Sequence, residues 1–275
     1  VIKAHLATAD KSIQTTQAAV VSAQSKLTAA KKRHAELVAD AKIKSAKPKP
    51  KPQPKNIVGT KVFHENFATL DETRWKSFGG KWSHKPGRLE QQQDGATRAT
   101  LRWLQTPPRD FEATVRFTIL GGSKWRSVSL VFDATQKDPA NMFAASDSEQ
   151  SVYVSAYAPG PKVQAAFHQG GKWQYPAEAR VARPIKLNRE YTLKVRVRGT
   201  LINASLDGQP AIAWRTPLAR RDGMMQLTTF DALTVFHEVT IAPLPPNVSL
   251  RKAGIAPSVA ANKPTSPKAA LAAIA

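Results

Sequence analysis

Six residues have types and spacings suited to binding chemistry. Tyr153 and Tyr157 share one side of an alternating run whose other side is Val152, Val154 and Ala156. Gln164 and His168 share one side of the next run, opposite Val163, Ala165 and Phe167. Trp125 and Trp173 stand near turns. An aromatic ring offers an apolar face to C–H groups such as those of a sugar, while Gln and His supply oriented hydrogen bonds. These six are expected to line one sheet face as a ligand site. The plainer alternative is that the aromatic residues only cover the ends of the fold.

The carboxylates are less well placed. Hydrolysis of a glycosidic bond needs two carboxyl groups converging on it, which a strand supplies when acids recur on one face. No run of the Glu-x-Asp-x-x-Glu type occurs. Asp147-Ser148-Glu149 is the nearest, and it sits among loop formers, so a solvated loop is expected there. No Gly-x-Ser-x-Gly elbow suggests a serine nucleophile. Asp133, Asp138, Asn141 and Asp147 fall within fifteen residues of one another after a predicted strand. Their hard oxygens could hold Ca²⁺ on a rim, although the spacing fits no specific motif.

Lys194, Arg196 and Arg198 form a basic face that is either solvated or in contact with an acidic ligand such as an anionic polysaccharide. Aromatic residues that would stack bases between those charges are missing, so nucleic acid is not favoured. His237 is read as a satisfied core histidine.

Positioning these residues falls to 275 residues of uneven charge, net +21. Residues 1–56 carry 12 Lys/Arg against 3 Asp/Glu, residues 57–243 carry 25 against 17, and residues 244–275 carry 4 against none. The basicity is thus concentrated toward the ends and permits polyanion partners. Cysteine is absent, which excludes disulfides, thiolate zinc sites, a cysteine nucleophile and haem c attachment within these residues. No apolar run approaches the roughly 20 residues of a membrane helix. The sequence opens on Val1 with no signal-peptide pattern, and a segment of a longer protein is expected.

Residues 1–46 carry a heptad seam, Ile2, Leu6, Ala9, Ile13, Thr16, Val20, Ala23, Leu27, Ala30, His34, Leu37 and Ala41. That predicts a helical coiled-coil arm, with a solvated linker helix as the alternative. Residues 47–56 alternate Lys and Pro and predict a semi-rigid polyproline spacer. From 57 to 243 the pattern changes to period two, clearest in Phe111–Ile119, Tyr191–Val197 and Ile202–Leu206. Leu233, Val235, Val239 and Ile241 are assigned to one face of a further strand. Gly199-Thr200 and Asp207-Gly208 predict tight turns. A dozen or so half-buried antiparallel strands predict a mainly β, two-sheet sandwich or jelly roll. Residues 244–275 read as a Pro-rich tail ending at the start of a helix after Ser266-Pro267.

Several stretches resemble known proteins. Phe63-His64-Glu65-Asn66-Phe67, Trp75, Gly80-Lys81-Trp82 and Gly87-Arg88-Leu89 look like the opening of a concanavalin A-like or laminin-G-like jelly roll. Asp110-Phe111-Glu112-Ala113 is similar to its first central strand, and Tyr191-Thr192-Leu193 through Gly199, with Asn203 and Leu206-Asp207-Gly208, resembles its hairpin of strand, turn and ligand-like dipeptide. Val152–Tyr157, Lys162-Val163-Gln164, Gly170–Pro176, Arg220–Gly223 and Phe230-Asp231-Ala232 resemble the jelly-roll insert of large planctomycete-type proteins carrying a cytochrome c domain and two domains of unknown function. The resemblance covers about residues 60–245. It implies an exported, periplasmic or extracellular protein, flanking domains as partners, and haem c only in a flanking domain. The expected function is a non-catalytic carbohydrate- or partner-binding module. A glycoside-processing enzyme with dispersed carboxylates and a purely structural spacer remain the alternatives.

Overall fold

A computed structural model describes residues 62–139 and 148–254. The expected arm 1–46, the linker 47–56 and the helix start near Ser266 lie outside these residues.

Sixteen strands follow in order. They are β1 (Phe63–Glu65), β2 (Trp75–Phe78), β3 (Trp82–Lys85), β4 (Arg88–Gln91), β5 (Arg98–Trp103), β6 (Phe111–Gly121), β7 (Ser127–Ala134) and β8 (Glu149–Ser155). Then come β9 (Lys162–Gln169), β10 (Lys172–Gln174), β11 (Arg180–Ala182), β12 (Glu190–Arg198), β13 (Leu201–Leu206), β14 (Gln209–Arg215), β15 (Met224–Phe230) and β16 (Leu233–Pro243). One turn of 3₁₀ helix, Ala177–Ala179, interrupts them. Two antiparallel sheets result. The first runs β14-β13-β12-β6-β16-β4-β3, with β1 also on β16. The second runs β10-β9-β8-β7-β15-β5-β2, with β11 also on β9. The two-sheet sandwich expected from the alternation is the fold.

The core lies between the sheets and is built from period-two residues. Phe111, Ala113, Val115, Phe117 and Ile119 of β6 and Tyr191, Leu193, Val195 and Val197 of β12 face inward from the first sheet. Val128, Leu130, Phe132, Val152, Val154, Val163, Ala165 and Phe167 enter the same core from the second. Each buried Val, Leu, Ile or Phe side chain among them stabilises the fold by about 1.5–3 kcal/mol relative to exposure. Glu65 anchors the opening motif, accepting from the Phe67 amide at 2.8 Å and from Trp75 Nε1 at 3.2 Å. Both predicted turns are present. Gly199 has φ +51°, and Asp207 and Gly208 have φ +50° and +75°, as a tight hairpin requires.

Four expectations are corrected. The alternation in β16 is not continuous, because the pairing with β6 shifts between Phe236 and Glu238. His237 is the extra residue of a β-bulge, which reverses the facing of everything before it. Phe236 therefore joins Val239 and Ile241 in the core, and Val235 does not. His237 itself is no core histidine. Its Nε2 lies 2.9 Å from Thr118 Oγ1, and its side chain retains 24% exposure.

The tail boundary at Pro243 moves as well. The Leu244 amide donates to Asp110 O at 3.0 Å, Arg251 N donates to Asn203 Oδ1 at 2.7 Å, and Arg251 Nη2 donates to Ile212 O at 2.6 Å. Residues 244–254 are thus bonded onto the first sheet. Finally, the basic face is engaged internally. Glu112 meets Arg196 at 2.5 Å and Lys194 at 3.3 Å, while Arg198 donates to the carbonyls of Val248 and Pro245.

Candidate functional site

The second sheet turns one face to the core and hollows the other. Along β7, Ser127 and Ser129 alternate with core Val128 and Leu130. Along β8, Ser151, Tyr153 and Ser155 alternate with core Val152 and Val154. Register carries one row across the sheet: Ser129 opposite Tyr153, Tyr153 opposite Gln164, and Gln164 opposite Arg180. Serines on the floor leave room that larger side chains would fill. The result is a cavity of about 570 Å³, with Trp125, Tyr153, Trp173 and Tyr175 among its lining residues. That is the size of an ordinary small-ligand site, about 300–1,000 Å³.

The segment between β6 and β7 brings Trp125 to the edge of the cavity. Its conformation is set by Asp231, just after β15. One carboxylate oxygen accepts from Ser123 N (2.9 Å), Ser123 Oγ (2.7 Å) and Gly95 N (3.1 Å). The other accepts from Lys124 N and Trp125 N, both at 2.6 Å. Burial would raise the Asp231 carboxyl, but these donors outweigh it and hold the group at about 2. The backbone is unusual on both sides, with φ +47° at Arg126 and +54° at Asp231. Such left-handed non-glycine residues persist where the surrounding bonds fix them. Trp125 stacks on Tyr157, ring centroids 4.7 Å apart at 26°, with the Lys124 ammonium 4.9 Å from the Trp125 centroid.

The opposite wall comes from β10 and the residues after it. Trp173 and Tyr175 stack with centroids 6.0 Å apart at 22°, and Tyr175 meets Tyr153 edge-on at 6.4 Å. Tyr153 donates its hydroxyl proton to Gln164 Oε1 at 2.8 Å. Burial pushes its phenol well above the ordinary range, so it stays neutral at any physiological pH. With its proton engaged by Gln164, Tyr153 offers a ligand lone pairs only.

A buried ion pair lies in the same sheet. Arg98 Nη1 and Nη2 lie 2.5 and 2.8 Å from the two oxygens of Glu149, with side-chain exposures of 3% and 0%. Gln136 Nε2 also donates to Glu149. Arg98 contributes to the cavity lining. The solvated loop expected at Asp147-Ser148-Glu149 is therefore wrong at Glu149, which opens β8 and is buried. Its position among polar residues concealed this.

The sequence-predicted residues fare differently. Trp125, Tyr153, Gln164 and Trp173 line the cavity together. Tyr157 follows β8 rather than lying within it, and it acts by backing Trp125. His168 is only 1% exposed and lies against Trp173, ring centroids 5.5 Å apart, so it can support that ring but not meet a ligand. Two of the four candidate cation residues, Asp133 and Asp138, lie among the described residues. Asp133 is buried, bound by Arg220 Nε and Nη2 at 2.8 and 3.0 Å and by Gln150 at 2.8 Å. Asp138 is exposed, and Asn141 and Asp147 lie outside the described residues. No group of three or more metal-ligating acids or histidines occurs among the described residues. Residues missed by sequence reasoning are Arg98, Lys162, Tyr175, Arg180 and the four serines. The serines had a signal, recurring at period two opposite aliphatic residues.

No protein-family model matches the sequence, and no curated protein is similar to it. Solved structures are similar in fold. A carbohydrate-binding module, CBM66 from Bacillus subtilis, is 23% identical with a TM-score of 0.51, covering 61% of this chain and 94% of that one. The exoplasmic/lumenal domain of VIP36, in a Ca²⁺- and Man2-bound form, is 10% identical with a TM-score of 0.52, covering 72% and 95%. A native glycosidic hydrolase is 13% identical with a TM-score of 0.51, covering 68% and 98%. These likenesses show the two-sheet β-sandwich fold and nothing finer. No helix among the described residues is long and apolar enough to cross a membrane.

Proposed function

We propose that this chain is a non-catalytic carbohydrate-recognition module of a larger exported protein. The observation that carries the reading is the hollow sheet face, where aromatic rings surround a floor of small hydroxyls. Stacked rings suit the C–H faces of a sugar, and Tyr153 and the serines suit its hydroxyls. The fold likeness to a carbohydrate-binding module and to a mannose-bound lumenal domain supports the same class. Glu149 does not argue for hydrolysis, since both its oxygens are engaged by Arg98 and Gln136. The larger context rests on the planctomycete-type resemblance, which would place haem c and any catalytic chemistry in flanking domains and the whole outside the cytoplasm.

A glycan array probed with the chain, followed by titration calorimetry on the hits, tests this. Affinity should be modest, because ordering a flexible saccharide and desolvating its hydroxyls offset much of the contact energy. Trp125→Ala and Trp173→Ala should each abolish measurable binding while thermal unfolding stays cooperative. No binding across a broad array would favour a structural spacer. Release of reducing ends would favour the glycoside-processing alternative.

A further inference from the structure

We infer that the cavity selects anionic saccharides, holding a carboxylate or sulfate group between Lys162 and Arg180. This rests on the carbohydrate reading and names its substrate class. Both residues line the cavity. Arg180 of β11 pairs with Gln164 of β9, and Lys162 pairs with Ala182 two residues further along. The two cations are therefore diagonal neighbours on one face, within mutual reach of their long side chains. Neither forms an ion pair among the described residues. The other lining cation, Arg98, is already neutralised by Glu149.

Among the described residues the cavity lining contains no carboxylate, whereas the first sheet answers its cations with Glu112, Glu190 and Glu238. Like charges side by side in a sheet repel. Burial, and then Arg180, hold the Lys162 ammonium below its ordinary range. A bound anion relieves both effects. Lys124, above Trp125, adds a further positive charge at the opposite edge. The aromatic rings recognise the sugar, and the cations recognise what it carries.

Arg180 also has a plainer use, since a basic residue on the edge strand β11 discourages sheet-to-sheet association. Binding to matched polymer pairs separates the two. Affinity electrophoresis would compare polygalacturonate with its methyl-esterified form, and dextran sulfate with dextran. The inference expects the anionic member of at least one pair to bind about tenfold more tightly, and which pair responds identifies carboxylate or sulfate. Lys162→Met with Arg180→Met should remove that preference, so that the anionic and neutral members of the pair bind the double variant alike. Arg215→Met with Lys252→Met removes the same charge elsewhere and should keep the preference. Equal loss in both double variants would mean nonspecific attraction to a basic protein and overturn the inference. Equal binding of anionic and neutral members would overturn it while leaving the carbohydrate reading intact. Failure to bind any polymer, or any glycan on the array, would overturn both.

Discussion

The Asp231 carboxylate lies 2.6 Å from the backbone nitrogen of Trp125, so a residue at the end of β15 fixes the ring that edges the cavity. Asn is the informative replacement, because it tolerates the positive φ that Asp231 adopts. Asp231→Asn replaces one charged acceptor by a donor that faces the amides of this loop. It should cost about 1.5–3 kcal/mol of stability and weaken glycan binding more than its distance from the ligand would suggest. Chemical denaturation and calorimetry check the two effects separately.

Acid should expose the same group. Asp231 titrates at about 2 in the folded chain, below its ordinary 3.8. Its contribution, about 2 kcal/mol, is present above the unfolded value and is lost as pH falls through 3.8 toward about 2. Thermal unfolding followed from pH 6 to pH 2 should show this loss, and the loss should shrink in Asp231→Asn. Equal acid sensitivity in the two proteins would assign it to other carboxylates.

Gly122 precedes this loop at φ +140°, and a Cβ there would sit 2.0 Å from the Asp231 carbonyl oxygen. Gly122→Ala should therefore displace the Trp125 loop and abolish binding, with a fall in melting temperature of several degrees. A variant that binds as well as the parent would show that the loop position is not needed.

Glu149→Gln leaves the Arg98 guanidinium buried without its counter-charge. The expected loss is about 3–5 kcal/mol of stability, read by urea denaturation. The chain should release no reducing ends from a glycan panel before or after the change. Release by the parent that Glu149→Gln abolishes, in a protein still folded, would make Glu149 catalytic.

Tyr157→Ala removes the ring behind Trp125. Aromatic pairs contribute about 0.5–1.5 kcal/mol, so binding should weaken by up to about tenfold with the fold intact. Calorimetry gives the affinity and circular dichroism the fold.

The chain ending at Pro243 should be markedly less stable than the chain ending at Gly254. The shorter form lacks buried Leu244 and the bonds from Arg251 to Asn203 and Ile212. Equal melting temperatures would make residues 244–254 a passive appendage.

What could be read from the sequence follows from how local each signal is. β6 and β12 were legible because one face of each is buried along its whole length, so alternation survives intact. β16 is misread ahead of its bulge, since an extra residue is recognised only by its partner strand. The aromatic face was legible at Tyr153 and Gln164, whose neighbours in the chain are core residues. The Arg98–Glu149 pair was not, because its members are separated by 51 positions and Glu149 sits among polar residues. Phe230-Asp231-Ala232 carries part of the family resemblance, yet the role of Asp231 depends on amides more than a hundred positions away.

Floor and core alternate on the same two strands, so a change at Ser127, Ser129, Ser151 or Ser155 reshapes the cavity without entering the hydrophobic interior. Ser127, Ser151 and Ser155 each donate to a backbone carbonyl, whereas Ser129 lies in the row beside Tyr153. Ser129 is thus the natural first position for retargeting. Enlarging it to Thr, Asn or Gln would narrow the trough in graded steps while the scaffold keeps its melting behaviour. Specificity and foldability are written on opposite sides of one ribbon, and selection or engineering can revise the first while leaving the second alone.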